Sequence, residues 1–302
     1  MLLRMGPLLC LLSAASFGAM AVFGKYAFAA GVTPSTLLLI RFSLAAVILA
    51  LLTGRPGRIS GKAVAVAFGL GALGYAAQAS LYFEALRIMD ASLLALVFYT
   101  YPLLVTVLAV LAGRDRLTRA RAAALTTATG GILLVLLGSG GAPMPPLGVA
   151  LALASALTYT CYILVADRIV QRIPPLQMAT VVMAGAAVAM AGRSALTGGP
   201  DLNFGPAGWF WLGCVVVVST ILAMLTFLGG LRRTGPSTAA ILSIFEPLVT
   251  AVLATMLLGE ALTPLQVTGG LLVLVSALIL QLPGRLLPSV RARVASVRPR
   301  SS

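Results

Sequence analysis

The chain contains no histidine, so imidazole acid–base catalysis, histidine metal ligation and a histidine proton relay are all excluded. No GxxxxGK[ST] stretch occurs anywhere in it, which argues against direct drive by ATP through a Walker loop. Charged residues make up only 9% of the 302 positions, against about 25% in an ordinary soluble domain. No polar interval is long enough to build a soluble domain. The three cysteines, Cys10, Cys161 and Cys214, all fall inside apolar runs; they are expected as buried thiols, with no disulfide framework. Acidic residues are scarce as well, seven against 21 Lys and Arg, for a formal net charge of +14 and a pI near 11.0. That excess suggests nucleic acid until the charges are placed. They sit in short segments between apolar runs and in the C-terminal tail.

What is present is hydrophobic sequence, 60% of the chain, with a mean hydropathy of +1.06. Ten apolar spans can be marked, near 8–30, 34–53, 62–84, 90–112, 118–138, 146–166, 175–197, 208–228, 237–258 and 262–282. Turn chemistry separates them: Gly31-Val32-Thr33-Pro34, Gly54-Arg55-Pro56-Gly57, Pro174-Pro175, Gly235-Pro236 and Thr263-Pro264. In lipid each span must satisfy its own backbone, and barrel-type alternation is absent. The expected fold is therefore an all-α membrane protein of ten transmembrane helices. The N-terminal apolar run continues to about Ala30, past the length of a signal-peptide core; it is expected to be the first membrane helix. Seventeen of the 21 basic residues fall on one set of segments, and the opposite loops hold only Arg87 and Arg193. This bias places both termini in the cytoplasm and the chain, multi-pass, in the inner (plasma) membrane. The basic tail, 284–302, is expected to be disordered and drawn to anionic lipid.

The two halves resemble each other. Without a gap, 86–119 overlays 231–264, with Leu86/Leu231, Arg87/Arg232, Ser92/Ser237, Ala95/Ala240, Pro102/Pro247 and Thr118/Thr263 identical. Thr129-Gly130-Gly131 returns as Thr268-Gly269-Gly270, and Ser13-Ala14 aligns with Ser155-Ala156. The expected units are 1–140 and 141–283, each of five helices. Five is odd, so the second unit must insert upside down. Inverted repeats mark secondary transporters, whose substrate site lies near the midplane between the repeats.

Where the first copy has Tyr101, the second has Glu246. About 15 Å along its helix at ~1.5 Å per residue, Glu246 falls near the bilayer midplane. A charged carboxyl there costs at least about 2.5 kcal/mol and marks a functional site. It is a candidate for proton coupling or for a substrate amine, against the plainer reading of a packing carboxyl beside Pro247. Arg41, about 10 Å into the second helix, is a candidate for bidentate binding of a substrate carboxylate or for a structural role. Tyr75, Tyr82, Phe98, Tyr99, Tyr101, Tyr159 and Tyr162 offer rings and hydroxyls to a pocket, and Gln78 and Ser80 add mid-helix polar groups. Pro102 and Pro247 are candidate hinges. Lys25 is expected to snorkel, and Asp115 and Glu260 to serve helix ends. Gly69, Gly71 and Gly74 are expected to allow close helix approach.

Several of these stretches are similar to a known family. Leu81-Tyr82-Phe83-Glu84-Ala85-Leu86-Arg87, Ala91-Ser92-Leu93, Pro102, Phe245-Glu246-Pro247 and Leu258-Gly259-Glu260 resemble the EamA-type repeat of the drug/metabolite transporter superfamily, in two copies covering essentially the whole chain. The second copy departs from the first in having Gly259-Glu260 for Arg114-Asp115 and Met183 near the place of Arg41. The resemblance implies a ten-helix bundle of inverted repeats around a central cavity. It implies export of amino acids or related metabolites, the aromatic amino-acid exporters being the nearest-looking subgroup. Drug or toxic-metabolite export, or passive facilitation on the same fold, is the alternative. No cofactor, no metal and no enzymatic activity are expected; the partners are a small-molecule substrate and the lipid bilayer, not nucleic acid, with proton coupling and uniport both left open. Phosphorylated substrates fit poorly, because they call for several buried cations and only Arg41 and Lys25 are at hand.

Overall fold

Turn chemistry sets the helix ends. Thr33 accepts at its side chain from Thr36 N (3.3 Å) and Pro34 occupies the first turn, so the second helix starts where the chain leaves Gly31 at φ +92°. At the last helix Thr263 and Gln266 cap each other reciprocally, Thr263 N to Gln266 Oε1 at 2.9 Å and Gln266 N to Thr263 Oγ1 at 3.2 Å, the capping-box arrangement. In this computed structural model residues 5–54, 60–112, 118–138, 145–170 and 173–281 are described. Arg4, Arg55, Arg58, Arg114, Asp115, Arg116, Arg172 and the tail after Pro283 lie outside them, as do the side chains of Arg121 and Arg168.

The described residues form helices and no strands. Taken in order as ten spans, they run Met5–Ala29, Pro34–Thr53, Gly61–Ile88, Ala91–Leu111, Arg119–Leu137, Pro146–Val170, Pro175–Leu196, Pro206–Thr234, then Pro236–Ser243 continued by Phe245–Leu258, and Pro264–Gln281. Eight of the ten have the length and hydropathy to cross a membrane alone. The fifth and tenth contribute the shorter apolar helices Ala122–Leu137 and Pro264–Leu280. Leu51, Leu73, Leu111, Leu137, Leu196 and Met256 are exposed, as lipid-facing side chains should be, while small residues mediate the closest helix contacts.

Two kinds of interruption recur at matched places in the two halves. The third and eighth spans each contain one π-helical turn, Leu70–Tyr75 and Val217–Leu222. The fourth span breaks at Tyr99-Thr100, between Ala91–Phe98 and Tyr101–Leu111, and the ninth breaks at Ile244. The breaks fall just before Pro102 and Pro247, whose missing N–H groups cannot continue the ladder.

Glycines bring the spans together. The fifth span packs on the tenth, and a Cβ on Gly131 would meet the carbonyl oxygen of Gly269 at 2.7 Å. The third packs on the seventh, where a Cβ on Gly71 would strike the Val182 carbonyl and one on Gly185 the Phe68 carbonyl. The close-approach expectation therefore holds for Gly71. Gly69 has no atom within 4 Å of a built Cβ, and Gly74 makes an ordinary contact with Tyr162. The cysteine expectation is corrected too: Cys10 is buried, Cys214 half-buried and Cys161 exposed, because Cys161 lies on an outward face of its helix.

The halves are also tied by matched hydrogen bonds. Ser13 Oγ donates to the Ala223 carbonyl at 2.8 Å, and Ser155 Oγ donates to the Gln78 carbonyl at 3.0 Å. Ser13 and Ser155 are repeat partners in the sequence, and Gln78 and Ala223 are separated by the 145-residue repeat offset. The first helix of each half thus holds the third helix of the other by the same bond.

Candidate functional site

The broken fourth and ninth spans meet at their breaks. Pro247 leaves the Ser243 carbonyl without its helical donor, and the Tyr99 hydroxyl supplies one, at 2.6 Å. Tyr99 itself is buried. The first break thereby repairs the second. Its own Thr100 Oγ1 is buried with no hydrogen-bond partner among the described residues.

From this crossing a row of rings extends through the interior. Tyr99 meets Tyr101 at 5.4 Å between centroids, Tyr101 meets Tyr159 at 4.9 Å, and Tyr159 stacks on Tyr162 at 5.8 Å and 8°. Tyr162 meets Tyr75 at 5.8 Å, and Tyr75 meets Phe42 at 5.5 Å. Phe98 joins Tyr82, Tyr101 and Tyr159 at 5.3, 5.5 and 5.5 Å. These rings come from the second, third, fourth and sixth spans. Tyr75, Tyr101, Tyr159 and Tyr162 are half-buried.

Opposite charges stand at the two ends of this row. Glu246 opens the helix Phe245–Leu258 and is half-buried. It follows by three residues the Ser243 carbonyl that Tyr99 holds. Its side chain makes no hydrogen bond and no ion pair among the described residues. Arg41 is 2% exposed. Its Nε donates to Thr220 Oγ1 at 2.9 Å and one terminal nitrogen donates to the Tyr75 hydroxyl at 3.4 Å. The guanidinium sits over the rings of Phe42 and Phe83 at 5.4 and 5.7 Å. No described carboxylate lies within ion-pair distance of it.

The two π turns meet at Arg41, since Tyr75 ends one and Thr220 belongs to the other. Thr220 Oγ1 also donates to the Val215 carbonyl five residues back, at 2.9 Å, which is the spacing a π turn frees. Its neighbour Ser219 is fully buried with an unpartnered Oγ. Each half therefore lends one irregular turn to hold the one deeply buried cation among the described residues.

Of the residues singled out in the sequence, Arg41, Tyr75, Tyr82, Tyr99, Tyr101, Tyr159 and Glu246 fall in this one region, with Pro102 and Pro247 at its helix breaks. Gln78 lies on the Tyr75–Tyr82 face of the third span, but its amide donates to Ser155 Oγ at 3.1 Å, so it ties the halves together. Ser80 bonds the Ala76 carbonyl of its own helix at 2.8 Å. Thr220 and Ser219 were not found by sequence reasoning, because hydroxyls in membrane helices usually bond their own preceding turn. Lys25 sits away from the rings, in a shallow recess with Tyr26, Asp90, Leu258 and Glu260. The described residues contain no grouping of three or more Cys, Asp or Glu that could hold a metal.

The chain matches the model of the EamA-like transporter family twice, over residues 4–137 and 146–282. It is 25% identical over 276 residues to "Uncharacterized transporter YcbK" of Bacillus subtilis (strain 168), covering 87% of this chain and 88% of that one. A crystal structure superposes on it with a TM-score of 0.65 at 19% identity, over 94% of this chain and 99% of the other, and so shares its fold. The two family matches fall one on each side of the 138–146 connection, and with them the chain belongs to the EamA-like transporter family.

Proposed function

We propose that the protein is a secondary transporter that exports amino acids or closely related small zwitterions by alternating access, with Glu246 facing the amine and Arg41 the carboxylate. The observation that carries this reading is the Glu246 carboxyl and the Arg41 guanidinium at membrane depth, neither with an oppositely charged partner among the described residues. An isolated charge in the membrane interior is costly, and a substrate bearing both signs neutralises each at once. The tyrosine row supports an amphipathic substrate with an apolar side chain, since such pockets are apolar walls with a few placed polar groups. The orphaned hydroxyls of Thr100 and Ser219 are further donors near the two ends. Glu246 is also the group on which a coupled proton would ride.

The test is counterflow in liposomes containing the purified protein, loaded with one unlabelled amino acid at a time. Saturable, trans-stimulated uptake of a labelled amino acid is expected, reduced at least about tenfold by Arg41→Ala, the loss that follows when a charge-assisted carboxylate contact is removed. Glu246→Gln is expected to remove the pH dependence of exchange. Uptake of every amino acid at the rate of empty liposomes, from protein shown to be folded, would sink the substrate reading and turn attention to drugs and other toxic metabolites. Uptake that neither saturates nor is stimulated in trans would indicate a passive facilitator.

A further inference from the structure

At the end of the bundle away from Met5 and Gln281, one acid joins the ninth span to the fourth. Gly259, at φ +69°, ends the ninth span in the left-handed region, and the chain turns so that Glu260 reaches across to the fourth span. Its carboxylate accepts three hydrogen bonds there, from Ala91 N at 2.7 Å, Ser92 N at 2.9 Å and Ser92 Oγ at 2.7 Å. It thus satisfies two of the N–H groups that a helix start leaves open and sets a negative charge at the positive end of the helix dipole.

The local sequence did not require this. Asp90 occupies the N-cap position of that helix and is a favoured residue there, yet its side chain makes no cap bond. The cap comes from 169 residues away in the other half of the chain. Burial follows the same division. From Ala91 to Val97 every residue of the fourth span is buried, whereas beyond the break only Leu103 is buried between Tyr101 and Leu111. Beside Glu260 the Tyr26 hydroxyl donates to the Leu257 carbonyl at 2.6 Å, a second strap on the same end. Lys25, Tyr26, Asp90 and Glu260 are the titratable groups around the recess, so water reaches the capping carboxylate and can replace its partners.

We infer that Glu260 is a releasable latch, closing the far end of the transporter by capping the fourth span from the opposite repeat, and that Asp90 takes over the cap when the latch opens. The exchange of one acid for another keeps the helix start satisfied in both states, so opening does not strand buried N–H groups. This rests on the alternating-access reading above, since opening of this end is one of its steps.

The experiment places single cysteines at Leu93, Leu94 and Val97 in turn, with Cys10, Cys161 and Cys214 replaced, in protein held in nanodiscs where reagent reaches both ends. Labelling by a hydrophilic maleimide is followed in time. With Glu260 intact, labelling is slow at all three. Glu260→Ala is expected to raise it about tenfold at one or more of them, as loss of charge-assisted bonds shifts a two-state equilibrium. Ser92→Ala, which removes one of the three bonds and leaves the packing, is expected to raise it less. Asp90→Ala is expected to leave labelling at or below the unsubstituted rate, because it disfavours only the open state. Unchanged labelling in Glu260→Ala and Ser92→Ala, or acceleration by Asp90→Ala as large as by Glu260→Ala, overturns the latch. Protein in which Glu260→Ala opens the end but no amino acid exchanges would sink the substrate reading and leave the latch standing. Where Glu260→Ala does not fold, Ser92→Ala alone decides.

Discussion

At the scale of single residues, the site is organised by polar groups that the backbone has left incomplete. Tyr99 is the clearest case, because its hydroxyl serves the carbonyl that Pro247 orphans. Tyr99→Phe should cost about 1–3 kcal/mol of stability by leaving a buried acceptor unpaired. In a Pro247→Ala background the cost should shrink, since the substituted alanine brings an N–H that can bond the Ser243 carbonyl directly. A double-mutant cycle on denaturant unfolding in micelles measures the difference; equal costs in the two backgrounds would show that the hydroxyl's contribution does not depend on the carbonyl that Pro247 frees. Such pairings decide which residues are legible in sequence. Arg41 and Glu246 stand out because a charge in an apolar span has few innocent explanations. Tyr99 looks like any other ring of the pocket, and nothing in its spacing shows that its hydroxyl is already committed. Thr220 and Ser219 are invisible for a related reason, since their meaning depends on a π turn that brings them to Arg41.

At the scale of elements, the positions of helices are written in Gly, Pro and Thr at their ends, and the ten sequence spans match the observed helices to within a few residues at most ends. The helix breaks were legible from Pro102 and Pro247. The π turns were not, because neither Leu70–Tyr75 nor Val217–Leu222 carries a proline or a charge to mark it. Glycine roles were only partly legible: a glycine declares permission for close contact, and the neighbour that uses it comes from another span. The adjacent pair Gly130-Gly131 separates the two cases. Gly131 abuts Gly269, whereas Gly130 has open space around it. On Gly269 a Cβ would meet Gly131 O at 2.5 Å and Val135 N at 2.7 Å, backbone atoms that cannot swing aside. Gly269→Ala should therefore lower stability by about 1–3 kcal/mol through overpacking, and Gly130→Ala should raise it by up to about 1 kcal/mol through helix propensity. Thermal unfolding of the two variants in one detergent checks this, and a Gly269→Ala protein as stable as the parent would mean that the fifth and tenth spans can separate freely.

At the scale of the whole molecule, the same plan used twice gives two kinds of result. Where the copies remain alike they make the scaffold: Ser13 with Ala223, Ser155 with Gln78, and the glycine pair of the fifth and tenth spans. Where they have diverged lie the two acids proposed to act, Glu246 opposite Tyr101 in the alignment and Glu260 at the far end. Ten spans taken in order bring Met5 and Gln281 to the same side, and the charge bias is the proposed guide to which side that is. Lys62, Arg119, Arg232 and Arg233 fall at one end by chain order, whereas Arg87, Arg193 and the segment 197–205 fall at the other. A cysteine at Leu202, which is 48% exposed, should be labelled by an impermeant maleimide added to intact spheroplasts. One at Lys62 should be labelled only after the membrane is opened. The reverse pattern would overturn the proposed orientation, because the end at which Glu260 joins the fourth span would then face the cytoplasm.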